Sequence, residues 1–284
     1  MNSSKVSILI PTLNSARTLE KTLASIQGQD YENIQVLISD SGSSDGTINV
    51  VSRYGFDLLN TGPGLLNARI EGIKHASGVY TLLLDSDMVL KPHSIERAVS
   101  LAQTGYDLVF LEESPMPATG LIEKMWSAER QLIYSIRNCR VDPLNGDLLP
   151  RFFRTNILKS AANNIPRELT SWLRHPDHQI IYYECYKISH KVAFLDNAVY
   201  FYERSNLSDL VRTYFRHGKD AAKLQDFGEY SELVKSKVSA KFNELIGSRR
   251  LFPYIALLLL IKGVPFVLGS NCARVATSFK RYRR

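Results

Sequence analysis

An α/β fold with a mostly parallel sheet flanked by helices follows from three observations. Short apolar runs rich in β-branched residues recur through the first half of the chain: VSILI (6–10), IQVLIS (34–39), DLLN (57–60), YTLLL (80–84) and DLVFL (107–111). Their hydrophobicity is continuous rather than alternating, which marks strands covered on both faces. Helix-period patterns lie between them, giving a β-α-β-α array of Rossmann-like character.

The elements can be taken in order. Ala16, Leu19, Leu23 and Ile26 recur every three or four residues, with Asn14 or Ser15 available as N-cap. Residues 64–76, 92–103 and 119–138 repeat the pattern. The second half is less regular, with a turn-rich stretch Val141–Pro150, a polar segment Arg167–His178 and a strand-like run over 192–203. From Leu207 an apolar stripe of Leu210, Val211, Tyr214 and Phe215 predicts an amphipathic helix, with Arg212, Arg216 and Lys219 elsewhere on its surface. The reading divides the chain into an α/β domain over 1–230 and a helical, apolar and basic tail over 231–284.

Charge separates these parts. The 284-residue chain carries a formal +7, yet eight of its 35 basic residues lie from Arg249 onward, where there is no Asp or Glu. Residues 1–248 therefore hold 27 basic against 28 acidic groups, a net of −1. A neutral body gives no basis for nucleic-acid binding, and the cationic tail points to an anionic surface. Cys139, Cys185 and Cys272 are odd in number and far apart, which fits neither a disulfide framework nor a thiolate metal site. The stretch VSILIP near the N-terminus is too short for a secretory signal.

Open α/β sheets place ligand chemistry at the carboxyl ends of their strands. Here those ends are Pro11–Asn14, Asp40–Asp45 and Asp85–Asp87. Asp85 and Asp87 offer the hard oxygen donors that Mg²⁺ or Mn²⁺ takes one or two at a time beside substrate phosphates, although Asp after a strand also serves a plain turn. Asp40 suits a base N–H or a ribose hydroxyl, and Asp45 in DSGSSDGT suits a helix cap. His175 and His178 lack a third ligand at zinc spacing.

The order VSILIPTLN, VLISDSGSSDGT and GLLNARIEGIKHASGVYTLLLDSD resembles glycosyltransferase family 2, whose fold is called GT-A. The resemblance implies that Pro11 and Thr12 flank a nucleobase, with Asn14 in the same nucleotide-sugar-binding set. It further implies that Asp40 contacts the base, Arg69 and Asp85 approach the nucleotide, and Asp87, with Asp85, holds the metal. Ser41 stands where many relatives have a second acidic residue. Downstream, HPDHQIIYYECYK parallels the family's catalytic region, which puts Asp177 at the catalytic base and His178 beside it; a first-turn helix charge after Pro176 is the structural alternative. His178, Arg154, Arg212, Arg216 and Lys219 are candidates for the acceptor or diphosphate, as is Arg151 in PRFFR.

LFPYIALLLLIKGVPFVLG (251–269) is the most hydrophobic segment, but Pro253, Lys262, Gly263 and Pro265 interrupt it and basic residues flank it. A helix hairpin or interfacial segment with both ends on the cytosolic face fits this pattern better than a crossing. The expected activity is an inverting, Mg²⁺- or Mn²⁺-dependent transfer from a UDP- or GDP-sugar to a lipid-linked acceptor, a polyprenyl phosphate or polyprenyl-linked glycan, at the cytoplasmic side of the cell membrane. The alternatives are a soluble or surface-polysaccharide acceptor, a sugar nucleotidyltransferase, or a non-catalytic nucleotide-sugar-binding protein. A nucleotidyltransferase would need a Gly-rich loop after VSILI, which the chain lacks.

Overall fold

β1 (Val6–Thr12) is buried along its whole length, as its unbroken apolar run requires. It pairs in parallel with β2 (Ile34–Asp40) on one side and β4 (Tyr80–Leu83) on the other, and β3 (Asp57–Asn60) extends the parallel group beyond β2. Four further strands, β5 (Met88–Leu90), β6 (Leu108–Pro115), β7 (Phe152–Arg154) and β8 (Val192–Phe201), complete an eight-stranded sheet in the order β3-β2-β1-β4-β7-β6-β8-β5. β7 runs antiparallel to β4 and β6, and β5 antiparallel to β8. This computed structural model describes residues 3–116, 120–135, 141–144, 146, 148–202, 206–234 and 250–282.

The helices are α1 (Ala16–Gln27), α2 (Thr47–Tyr54), α3 (Leu65–His75), α4 (Ser94–Gln103), α5 (Leu121–Ser135), α6 (Thr155–Asn164), the short α7 (Arg167–Thr170), α8 (Asp177–Ile188), α9 (Leu207–Leu224) and α10 (Phe252–Tyr282). Strand periodicity sorts the packing. Ile8, Ile10, Val36 and Ile38 face one core with Leu19 and Leu23 of α1 and Val99 of α4. Leu9 and Ser39 face the other side, where α3 lies so close that a Cβ on Gly72 would stand 1.8 Å from Leu9 Cδ1 and 2.7 Å from Ser39 Oγ. Only a glycine admits α3 at that distance.

Contacts group the chain into two units. The first holds the sheet and comprises Met1–Ser114, Leu148–Leu173 and Ile181–Tyr202; the second comprises Pro115–Asp147, Arg174–Ile180 and Glu203–Arg284. In this grouping α5 and α9 belong with the C-terminal helix. In the second unit Met125, Trp126, Leu210 and Leu258 form one small core, and Ala128, Leu132 and Ile255 form another.

Phe252–Tyr282 is one continuous helix, so of the two arrangements expected for 251–269, a helix hairpin or an interfacial segment, the hairpin is not formed. Pro253 is the second residue of α10, where its missing N–H costs no helical bond, and Pro265 lies inside the helix without ending it. Lys262 Nζ is bonded to Glu129 Oε2 at 2.6 Å, with its side chain only 12% exposed. The lysine that interrupts the apolar run is thus turned inward and neutralised.

Replacing Gly72 by Val overpacks α3 against β1 and β2. It is expected to lower unfolding stability by about 1–3 kcal/mol, read as a shift in the urea midpoint at unchanged m-value.

Candidate functional site

Three strand-end loops of the first unit are bonded to one another. Asn14, in the left-handed region at φ 53, accepts from the backbone N–H of Ser44 at 2.8 Å through its side-chain oxygen, and its own N–H donates to Ser43 Oγ at 2.8 Å. Asn is one of the few residues that adopts this backbone conformation cheaply. The Ser15 N–H donates to Thr47 Oγ1 at 2.7 Å and the Ala16 N–H to Asp45 Oδ2 at 3.2 Å. Asp45 also accepts from the backbone N–H of Thr47 at 2.9 Å and from its hydroxyl, so it bonds the first residues of both α1 and α2, although the N-cap positions themselves are Ser15 and Gly46.

The third loop joins through α1. Ser86 Oγ donates to Ser15 Oγ at 2.9 Å, and Thr22 Oγ1 donates to the Ser86 carbonyl at 3.1 Å. The Asp85 carbonyl accepts from the N–H of Met88, and the Asp87 carbonyl from the N–H of Tyr202. Asp85, Ser86 and Asp87 are therefore fixed as a turn between β4 and β5, each half-buried.

Asp40 is buried and serves the loop that follows it. Thr12 Oγ1 and Ser43 Oγ donate to its Oδ1, and the N–H groups of Gly42 and Ser43 donate to its Oδ2. Burial alone raises its pKa, but these four bonds outweigh burial and hold the carboxyl below the usual carboxylate range. Its visible work is to close the 40–43 turn; a base N–H would have to share an oxygen with these donors. Pro11 and Thr12 are buried at the end of β1, while Leu13 and Asn14 are exposed beside them.

Asp85 has a different environment. Arg69 of α3 donates from Nη2 to Asp85 Oδ1 at 2.6 Å, and Arg151, immediately before β7, donates from Nη1 to Asp85 Oδ2 at 2.8 Å. Arg151 Nε continues to Glu113 Oε1 of β6 at 2.7 Å. Both arginines are at most 5% exposed, and Glu113 is buried as well. Two guanidinium and two carboxylate groups balance, the condition under which charges tolerate burial. Burial works against the Arg151 charge, but Glu113 and Asp85 overcome it and raise its pKa above the ordinary arginine value.

Of the two arginines in PRFFR, Arg151 meets Asp85 and Arg154 meets Asp107. Register explains both. Arg154 pairs with Tyr80 at the start of β4, whereas the Arg151 carbonyl accepts from the N–H of Leu83 at its end. Only Arg151 therefore reaches the carboxyl ends of the parallel strands. Arg154 lies at the opposite end of the sheet, bonded to Asp107 Oδ1 at 2.7 Å, and is removed from the site.

The remaining candidates belong to the second unit. Asp177 and His178 are buried in the first turn of α8. Asp220 of α9 accepts from the Arg174 N–H at 3.2 Å, just ahead of that turn, and burial raises the Asp220 pKa against this bond. Arg212, Arg216 and Lys219 are exposed on α9. Arg212 pairs with Asp209 at 3.7 Å, Arg216 Nη2 donates to Thr213 Oγ1 at 3.3 Å, and Lys219 lies over the Phe215 ring.

In the turn, Asp87 and Asp85 present hard oxygens of the kind a divalent cation uses, but both Asp85 oxygens already accept from arginine. The donor set therefore fits a cation held chiefly through Asp87 and completed by phosphate oxygens and water. Among the described residues a separate cluster of Asp30, His93 and Glu96 is exposed.

Replacing Arg151 by Met leaves Glu113 buried without its main partner. It should cost about 3–5 kcal/mol in a denaturation experiment, and Glu113→Gln in the same chain should recover part of that loss.

Residues 7–112 match the family description "Glycosyl transferase family 2". A Campylobacter jejuni protein named GalNAc(5)-diNAcBac-PP-undecaprenol beta-1,3-glucosyltransferase is 33% identical over 114 residues, 37% of this chain and 37% of its own. The structure of Staphylococcus aureus TarS 1–349 in complex with UDP-GlcNAc superposes with a TM-score of 0.55 at 20% identity, over 84% of this chain and 73% of that one. Glucosyl-3-phosphoglycerate synthase from Mycobacterium tuberculosis, in complex with Mn²⁺, UDP and glucosyl-3-phosphoglycerate, gives 0.52 at 19% identity, over 79% and 80%. These likenesses place the chain on the GT-A fold. It spans little more than a third of the length of the curated relatives it matches first.

Proposed function

Residues 7–112 belong to glycosyl transferase family 2, and from that premise we propose that the chain transfers a sugar from a UDP-sugar, with inversion, to a lipid-linked acceptor at the cytoplasmic face of a membrane. The observation that carries the reading is the bonding of three strand-end loops, 12–15, 40–47 and 85–87, into one constellation with the Arg69–Asp85–Arg151 cluster beside it. An open α/β sheet binds nucleotides at this end.

In the proposed reaction the exposed backbone at Leu13 and Asn14, held against the 40–45 turn, receives the nucleoside. Asp85, held in place by two arginines, orients the ribose. Mg²⁺ or Mn²⁺, held by Asp87, would supply charge neutralisation for the departing diphosphate. Asp177 removes the proton from the acceptor hydroxyl, so that no covalent intermediate on the enzyme is needed. A UDP donor is supported by the UDP and UDP-GlcNAc complexes of the two structural neighbours, and the metal by the Mn²⁺ of one of them. A polyprenyl-linked acceptor is supported by the undecaprenol in the Campylobacter name and by the undecaprenyl-phosphate transferase among the relatives.

Two substitutions separate the roles. With UDP-sugar donors and undecaprenyl-linked and soluble acceptors side by side, Asp87→Asn should abolish metal-dependent turnover. Asp177→Asn should lower kcat by about 10²–10⁴-fold and leave the donor KM unchanged. Full activity in either variant removes that residue from its role, and transfer to soluble acceptors alone removes the lipid-linked one.

A further inference from the structure

We infer that the second unit docks on an anionic bilayer through one face of α10 lying in the membrane plane, and that α10 does not cross. The inference rests on the membrane-surface part of the function proposed above. It adds the face, the lipid chemistry and the topology.

By length and composition the segment Phe252–Ala276 is long and apolar enough to span a bilayer. The distribution of its side chains argues otherwise. Between residues 252 and 268 every exposed position is apolar or aromatic, with Leu257, Leu260, Val264, Val267 and Leu268 among them, and Leu260 is 64% exposed. The polar elements of the helix point inward. Lys262 is bonded to Glu129 and lies 3.7 Å over the Trp126 ring, and Ser270 is buried. A core helix of a soluble protein has the reverse pattern.

The packing of α9 decides between crossing and lying flat. α9 runs parallel to α10 along most of its length, from Leu210 beside Leu258 to Gln225, which accepts from Arg274. The two backbones meet at glycines: a Cβ on Gly218 would stand 1.9 Å from the Phe266 carbonyl oxygen, and one on Gly269 1.9 Å from that of Phe215. α10 cannot enter the bilayer core without α9, and α9 exposes Asp209, Arg212, Arg216, Lys219 and Lys223, which hydrocarbon excludes. The apolar face from 252 to 268 is also only about 24 Å long at 1.5 Å per residue, against a hydrocarbon core of roughly 30 Å. Charge names the partner. Arg249 and Arg250 precede the helix, and Lys280, Arg281, Arg283 and Arg284 close the chain with no acidic residue between. Basic residues at both ends of an apolar face match anionic headgroups on a single surface.

The test uses the full chain and preformed vesicles of phosphatidylethanolamine with phosphatidylglycerol, with phosphatidylcholine vesicles for comparison. Flotation should recover the chain with the anionic vesicles, and the double substitution Leu260→Asp, Val264→Asp should reduce the bound fraction about tenfold while UDP binding is retained. For topology, Cys139 is replaced by Ser, and an impermeant maleimide added outside is tested on native Cys272 and, in a Cys272→Ser background, on Arg250→Cys. Both positions should be labelled. Labelling of only one shows a crossing helix and overturns the inference, as does equal binding to phosphatidylcholine. Loss of a dimer in the Asp variant, without vesicle binding by the parent chain, identifies a second copy as the occupant and overturns it too. Failure to float with UDP binding intact removes the docking face alone, whereas failure to bind UDP removes the nucleotide-site reading.

Discussion

Asp85 sits between two buried arginines, and much of the first unit is arranged to keep it there. Arg69 reaches it because Gly72 lets α3 lie directly on β1 and β2. Arg151 reaches it because β7 returns antiparallel beside β4 and ends its approach at Leu83. Glu113 arrives on β6, on the other side of β7, and supplies the charge that lets Arg151 remain buried. Three elements far apart in sequence thus converge on one carboxylate at the end of a parallel strand. A group held this way keeps its charge and position without reorganisation when a ligand arrives, which is the property a polar binding site needs.

The other two loops achieve rigidity by a cheaper route. Asp40, Asn14 and Asp45 turn their side chains back on the neighbouring backbone, so the 12–15 and 40–47 segments hold each other with short local bonds. Ser15 and Ser86 pass that rigidity to the Asp-Ser-Asp turn. The division of labour follows from charge. Neutral donors suffice where the loops are half-exposed, and paired ions are used where the carboxylate is backed by buried strands.

What could be read from the sequence follows the same physics. VSILI, IQVLIS and YTLLL declared β1, β2 and β4 because strands buried on both faces carry continuous apolar runs. β5 and β7, three residues each, are too short to show a period, and their partners are distant in sequence. The acidic turns at the strand ends were legible from position alone. Arg151 was not, because PRFFR offers two arginines and only the register with Tyr80 and Leu83 tells which one reaches the site. Lys262 was read as a break in an apolar helix; its partner Glu129 stands 133 residues away and no local pattern announces it.

The direct measurement of the central claim, that the clamped Asp85 organises a nucleotide site, is calorimetric titration of the purified chain with UDP in the presence of Mn²⁺, comparing wild type with Asp85→Asn. The asparagine keeps the shape and one acceptor oxygen but gives up the charge both arginines hold. A clamped carboxylate that orients the nucleotide predicts saturable binding by the wild type and at least about tenfold weaker binding by the variant, roughly 1.4 kcal/mol, in a chain that still unfolds cooperatively. Equal UDP affinity in the two chains would contradict it.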